Sequence, residues 1–216
     1  MSAYWFMFSI PVLMSVLPIK FNSSSNYRLL FAYAFISVLF IGFRYEVGGD
    51  WGVYLEKSID IYSKNFTEIF SLPNVGYSVV AWVSTRSGLG LIGTNIFCAA
   101  IFMLGLHKLC KTQPYPWLGY VVAFPYLITV VAMGYVRQSL VIGLAFWCFA
   151  IWQKGEKYNE IKIIILALLG ITFHKISLFM LPLTFIRNKG IFINYFYTLI
   201  GLLVLLFLFY YFSSIV

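Results

Sequence analysis

The chain has 216 residues, 62% of them hydrophobic and 10% charged, and a mean hydropathy of +0.89, whereas ordinary soluble domains carry about 25% charged residues. No soluble fold buries that much apolar surface. The net charge of +8 excludes a nucleic-acid footprint by its distribution, because the fifteen Lys and Arg are scattered at the ends of apolar blocks and never gathered into a run.

What remains is an all-α, polytopic transmembrane helical bundle, a single integral membrane domain over 1–216. Helices satisfy their own backbone donors, which lipid cannot do. In chain order, the apolar blocks predict spans near 2–19, 28–43, 89–107, 115–133, 138–152, 162–185 and 191–214, about seven in all. The first block has no basic n-region and no small-residue cleavage pattern before Lys20, so it reads as a mature helix. Residues 44–74 form the one sizeable loop, and 75–86 after it is apolar but too short to cross, so it is re-entrant or interfacial. Pro125 predicts a kink in the fourth span. Cys98, Cys110 and Cys148 lack paired spacing and read as packing residues, with no disulfide or metal implied.

Orientation follows from the basic residues. Lys20 and Arg28, then Lys108 and Lys111, then Lys154, Lys157 and Lys162 mark three loops on one side, which is the cytoplasmic one. The N-terminus and the 44–74 loop, where basic residues mix with Glu46, Asp50, Glu56, Asp60 and Glu68, then lie outside, as do Arg187 and Lys189. His174, about twelve residues into the sixth span, falls beyond the bilayer midplane toward the same side.

Four polar residues therefore converge on the outer leaflet. Arg137, with Gln138, interrupts an apolar stretch, and a charge at that depth is costly unless it faces a cavity, a partner or water. It is either an anion-binding arginine or a side chain snorkelling from a helix end. Arg44 ends the second span, and the Gly48-Gly49 pair after it can turn the chain sharply to present Asp50 beside Trp51 and Tyr54. The plainer reading of that cluster is a helix stop followed by a solvated loop. His174 and Lys175 lie inside an apolar block. The histidine is a proton acceptor, a phosphate ligand, or a neutral ring bonded to a neighbouring helix, and Lys175 a snorkeller.

Other chemistries lose ground. Ser87-Gly88 lacks the glycine at position 85 that a nucleophile elbow needs, since Thr85 stands there. The sequence has no glycine-rich nucleotide loop, no His-Glu-x-x-His and no carboxylate pair within the spans.

The order of these segments resembles the EpsG family of membrane polysaccharide polymerases, related in role to the Wzy-type polymerases of O-antigen, capsule and exopolysaccharide. Phe43-Arg44-Tyr45-Glu46-Val47-Gly48-Gly49-Asp50-Trp51 with Tyr54 is similar to that family's Arg…Gly-Thr-Asp-Tyr…Tyr segment. Arg137-Gln138 matches its Arg-Gln pair, and Phe173-His174-Lys175-Ile176-Ser177 is similar to its Phe-His-x-Ser pattern. Gly49, Trp51 and Asn74 depart from it, the last standing where an acidic residue is common, and the chain stops at Val216 where relatives continue into further helices, which implies a truncated C-terminus.

The resemblance implies joining of undecaprenyl-pyrophosphate-linked oligosaccharide units at the outer face of a bacterial inner membrane, with no cofactor and no metal. It implies Asp50 and His174 as catalytic groups, either being the base, with Arg44, Arg137, Gln138, Trp51 and Tyr54 binding substrate. Implied partners are the lipid-linked donor, the bilayer, a chain-length regulator and a flippase, with no nucleic acid. The rival expectations are an O-antigen ligase using the same donor, or a non-catalytic transporter or assembly partner for lipid-linked sugars.

Overall fold

A computed structural model describes residues 2–17, 22–154 and 159–184, with 201 and 203 as isolated positions. The described residues are helical, without a β-strand among them. In order they form α1 (Ser2–Val16), α2 (Ser23–Gly42), α3 (Trp51–Ser63), α4 (Phe66–Ile69), α5 (Val75–Arg86), α6 (Gly90–Lys111), α7 (Pro116–Ala123), a π-segment (Phe124–Ala132), α8 (Val136–Lys154), α9 (Asn159–Ile171) and a 3-10 segment (Lys175–Thr184).

Among the described residues, three helices are long and apolar enough to cross a membrane: Ser24–Gly42, Gly90–Lys111 and Val136–Lys154. Two more expected spans, Ser2–Val16 and Pro116–Ala132, are apolar but shorter. The expected helix over 162–185 is corrected: it breaks after Ile171, turns through 172–174, and continues as a 3-10 segment. The break has local causes. The Thr172 hydroxyl donates back at 2.7 Å to the Leu169 carbonyl, the acceptor a continuing α-helix would offer Phe173, and the Ser177 hydroxyl donates to the Ala167 carbonyl at 2.7 Å, tying the following segment back onto α9. The block 191–214, together with Lys20, Lys157, Arg187 and Lys189, lies outside the described residues.

Packing centres on α6, which touches α2 on one side and α8 on the other. The α6–α8 crossing is glycine on glycine: a Cβ on Gly105 would overlap the Gly143 carbonyl, and one on Gly143 would overlap the backbone of Phe102. Small residues that let backbones touch are the usual means of helix association where lipid removes the hydrophobic drive. Phe102, Met103, Leu140 and Leu144 are fully buried around the crossing.

Long-range contacts fix the direction of each element. At one end, the ring of Tyr27 in α2 lies 4.5 Å from the Lys111 ammonium of α6. Lys108 of α6 lies 4.4 Å from the Trp147 ring of α8, and Thr112 hydrogen-bonds Gln153. This is the lysine-rich end. At the other end the C-terminus of α2, the N-termini of α6 and α8, and the whole 44–89 connection come together. That connection is a set of short helices, α3 to α5, rather than an unstructured loop, and α5 is the 12-residue element expected over 75–86.

Pro125 does what its missing N–H predicts: α7 gives way at Phe124 to wider π-turns, and the Thr129 hydroxyl donates to the Pro125 carbonyl at 2.6 Å. The π-segment ends at Ala132, Met133 and Gly134 continue as helix, and the path breaks at Tyr135 before α8 begins one residue ahead of Arg137. All three cysteines are free and buried, as packing residues.

Candidate functional site

The end of the bundle opposite the lysines gathers the polar residues singled out above. Arg137, in the first turn of α8, is half-buried. Its guanidinium carbon stands 5.7 Å from the centroid of the Tyr54 ring and 5.8 Å from that of Tyr77. The two rings are themselves 5.7 Å apart and tilted by 48°. Tyr54 comes from α3 and Tyr77 from α5, both buried, so two short helices of the connection build an aromatic bed for one cation. Among the described residues no carboxylate pairs with Arg137, and its Nε is buried without a hydrogen-bond partner.

Asn74 completes the seat. It takes a left-handed conformation, φ 58° and ψ 58°, as N-cap of α5. With its amide turned so that both ends are satisfied, its oxygen accepts from Arg137 Nη1 at 2.9 Å and its nitrogen donates to the Phe173 carbonyl at 3.0 Å. His174 follows directly, half-buried in the turn between α9 and the 3-10 segment. Its backbone N–H donates to the Gly170 carbonyl at 2.9 Å, and the Ile176 N–H donates to its Nδ1 at 3.3 Å.

Asp50 is the N-cap residue of α3, half-buried, and its carboxylate makes no cap bond, which leaves it available. Trp51 opens α3 and packs edge to face with Tyr45, centroids 5.8 Å apart. Lys57, one turn beyond Tyr54 on α3, is exposed; desolvation, then the Arg137 guanidinium, push its ammonium below the ordinary lysine range, while Asp50 opposes the shift. Gln138 is half-buried next to Arg137.

Arg44 sits differently. It is 6% exposed, and its guanidinium is engaged inside the protein. Nη1 donates to the Ala132 carbonyl at 2.9 Å and Nη2 to Asn95 Oδ1 at 3.4 Å. The break after the π-segment leaves the Ala132 carbonyl short of a helical donor, and Arg44 supplies one. Gly48 presses against the same break: its φ is +99°, and a Cβ there would meet the Met133 carbonyl oxygen at 2.6 Å and Gly134 Cα at 2.8 Å. The connection carrying Asp50 is thus fastened at two points to the segment carrying Arg137.

The structure therefore seats Arg137 on Tyr54 and Tyr77 and ties it through Asn74 to the turn that carries His174, while Asp50 stands at the start of the helix that carries Tyr54 and Arg44 is fastened separately to the Ala132 carbonyl. Reasoning from sequence noted Asn74 only as a departure from the family's pattern and missed Tyr77, Asn95 and Lys57. For Asn74 there was a usable signal, since asparagine is the non-glycine residue most at home in the left-handed region and it directly precedes a helix.

Nothing among curated proteins and nothing among solved structures matches the chain. The family model described as EpsG family matches residues 27–216, a stretch that contains every side chain of this site. With an apolar helical bundle around it, that match over most of its length settles the assignment: the chain belongs to the EpsG family, membrane proteins of polysaccharide biosynthesis.

Proposed function

We propose that the chain polymerises undecaprenyl-pyrophosphate-linked oligosaccharide units at the outer face of a bacterial inner membrane, and that Arg137 holds the donor's pyrophosphate. The observation that carries this reading is a half-buried guanidinium laid on Tyr54 and Tyr77 with no carboxylate among the described residues to neutralise it. An uncompensated cation at such a place is costly and is retained for an anion. Arginine remains charged when partly desolvated and offers two parallel N–H bonds to phosphate oxygens.

In the reaction, the bond between the sugar's anomeric carbon and the pyrophosphate oxygen breaks, and a bond from that carbon to an acceptor hydroxyl oxygen forms. Undecaprenyl pyrophosphate leaves with the electron pair, and the hydroxyl proton passes to a base. Negative charge grows on the leaving pyrophosphate, where Arg137 in front and Lys57 nearby stabilise it. Arg44 adds positive charge from behind while its hydrogen bonds hold the Ala132 turn.

His174 and Asp50 divide the remaining work. An Nδ1 that accepts the Ile176 N–H leaves the proton of a neutral imidazole on Nε2, which makes the ring a donor toward a phosphate oxygen. Asp50, its carboxylate unused by the α3 cap, then serves as the base for the acceptor hydroxyl. Trp51 offers a face for a sugar ring to stack on.

An apolar cleft of about 400 Å³ is lined by Val141, Ala145, Phe149, Ile176, Phe179 and Met180. The first three follow Arg137 at successive turns of one α8 face, so a prenyl chain whose pyrophosphate meets Arg137 has an apolar path into the bundle. Complementing a deletion strain tests the reading. Wild type should restore long surface polymer, and Arg137→Ala should leave single repeat units at the surface. Polymer of normal length from Arg137→Ala would refute the assignment.

A further inference from the structure

α3 presents three faces, and the protein accounts for only two of them. Tyr54, Ser58 and Ile61 are buried against the bundle. Glu56, Lys57 and Asp60 form a polar face, which ends at the C-cap where Lys64 pairs with Asp60 at 2.6 Å. Between these two, about 100° around the helix from the buried row, Leu55, Ile59 and Tyr62 recur at helical spacing as an apolar stripe. They are 45%, 66% and 61% exposed, and Phe66, at the start of α4, is exposed as well. Val53, in the first turn, is the one large apolar side chain of α3 exposed outside this stripe.

The level of α3 in the membrane follows from what its neighbourhood touches. Arg137, in the first turn of the 19-residue α8, lies on the Tyr54 ring, and the Ser84 hydroxyl of α5 bonds the Gly90 carbonyl where the 22-residue α6 begins. Apolar helices of that length span about 30 Å, the thickness of a hydrocarbon core, so their ends mark its boundary. α3, at 13 residues, is too short to cross and lies along that boundary. Beside its stripe, Phe66 packs on Trp82 with centroids 5.2 Å apart, and the Arg86 guanidinium stands 5.6 Å from the Tyr62 ring and 5.5 Å from that of Trp82. Aromatic rings with a basic side chain reaching past them are the composition of a membrane–water interface.

We infer that α3 is an interfacial helix whose partner is the bilayer: Leu55, Ile59 and Tyr62, continued by Phe66, enter the acyl boundary of the leaflet at this end of the bundle, while Glu56, Asp60 and Lys64 face water. Tyr54, on the adjoining face, is then held at headgroup depth. A lipid-borne pyrophosphate lies at the same depth and reaches Arg137 sideways from the leaflet; that consequence, unlike the placement of α3, rests on the proposed function.

The full chain is reconstituted in phosphatidylcholine liposomes with a nitroxide label on Leu55→Cys, Glu56→Cys, Ile59→Cys or Asp60→Cys, and collisions with oxygen and with a water-soluble nickel chelate are measured. The wild-type chain, whose three cysteines are buried, is the blank. All four positions are exposed, so the label does not disturb the core. Oxygen should prevail at 55 and 59, and the nickel chelate at 56 and 60. A nickel preference at all four would overturn the placement, because α3 would then stand in water. Shielding of 55 and 59 from both reagents would overturn it too, by revealing a protein cover, either a second copy or another segment of this chain. No donor is present, so either failure leaves the role of Arg137 standing. Normal polymer from Arg137→Ala would end that role and leave the placement of α3 intact.

Discussion

Arg44 Nη1 donates to the carbonyl of Ala132 at 2.9 Å, joining the end of α2 to the break that precedes α8 across 88 positions of chain. Removing the donor leaves a buried carbonyl and the Asn95 amide oxygen without partners, at a cost of about 1–3 kcal/mol for such a group. Arg44→Ala should therefore lower the midpoint of thermal unfolding in detergent and abolish polymer. Arg44→Lys, which offers a single point charge in place of the fork, should fall between. A wild-type midpoint in Arg44→Ala would show that the clamp contributes nothing.

Gly48 should tolerate no side chain. At φ +99° an L-residue is strained, and a methyl group would press on the Met133 carbonyl, so Gly48→Ala should destabilise by about 1–3 kcal/mol and reduce polymer with it. Gly49, which has open space around its Cβ position, supplies the control, and Gly49→Ala should be close to wild type. Equal melting curves for the two variants would contradict the close approach of the connection to the break.

The α6–α8 crossing predicts an effect on folding alone. Gly143→Val has no room against Phe102 and should cost more than about 2 kcal/mol, seen as loss of full-length protein from membranes, whatever substrate is present. Normal abundance would mean that the two helices do not meet at these glycines.

Tyr54 should act through its ring. Tyr54→Phe keeps the face beneath Arg137 and should retain most polymer, whereas Tyr54→Leu removes it and should weaken pyrophosphate binding by an amount corresponding to about 0.5–2 kcal/mol. Comparable binding in the two variants would argue against a cation–π seat.

Much of this site was visible in the residues before any coordinates. Arg137 stood out because a charge inside an apolar stretch has few reasons to be there, and Asp50 because it follows a glycine pair at a helix end. The partners were not visible. Tyr77 sits in a short apolar helix where a tyrosine reads as an interfacial anchor, and only the fold of α3 against α5 brings its ring to Tyr54. His174 was expected within a continuous helix, since hydropathy cannot distinguish α from 3-10 turns. At the break the Thr172 hydroxyl takes the Leu169 carbonyl, and the Ser177 hydroxyl ties the 3-10 segment to Ala167. The same limit applies to Arg44, whose two acceptors on α6 and the π-segment are fixed by tertiary packing and not by any local pattern.

Arg137→Lys sharpens the charge argument. A lysine keeps the positive charge but loses the bidentate fork and the flat face that lies on the tyrosines, so polymer should fall well below wild type. Wild-type polymer would reduce the role of Arg137 to a point charge.

The most direct measurement reconstitutes the full chain in liposomes with a lipid-linked repeat unit and follows release of the prenyl pyrophosphate alongside polymer growth. The wild type should release one leaving group for each unit added, and Arg137→Ala should release none while remaining folded. Release and polymer growth at the wild-type rate from Arg137→Ala would contradict the claim that this arginine holds the pyrophosphate.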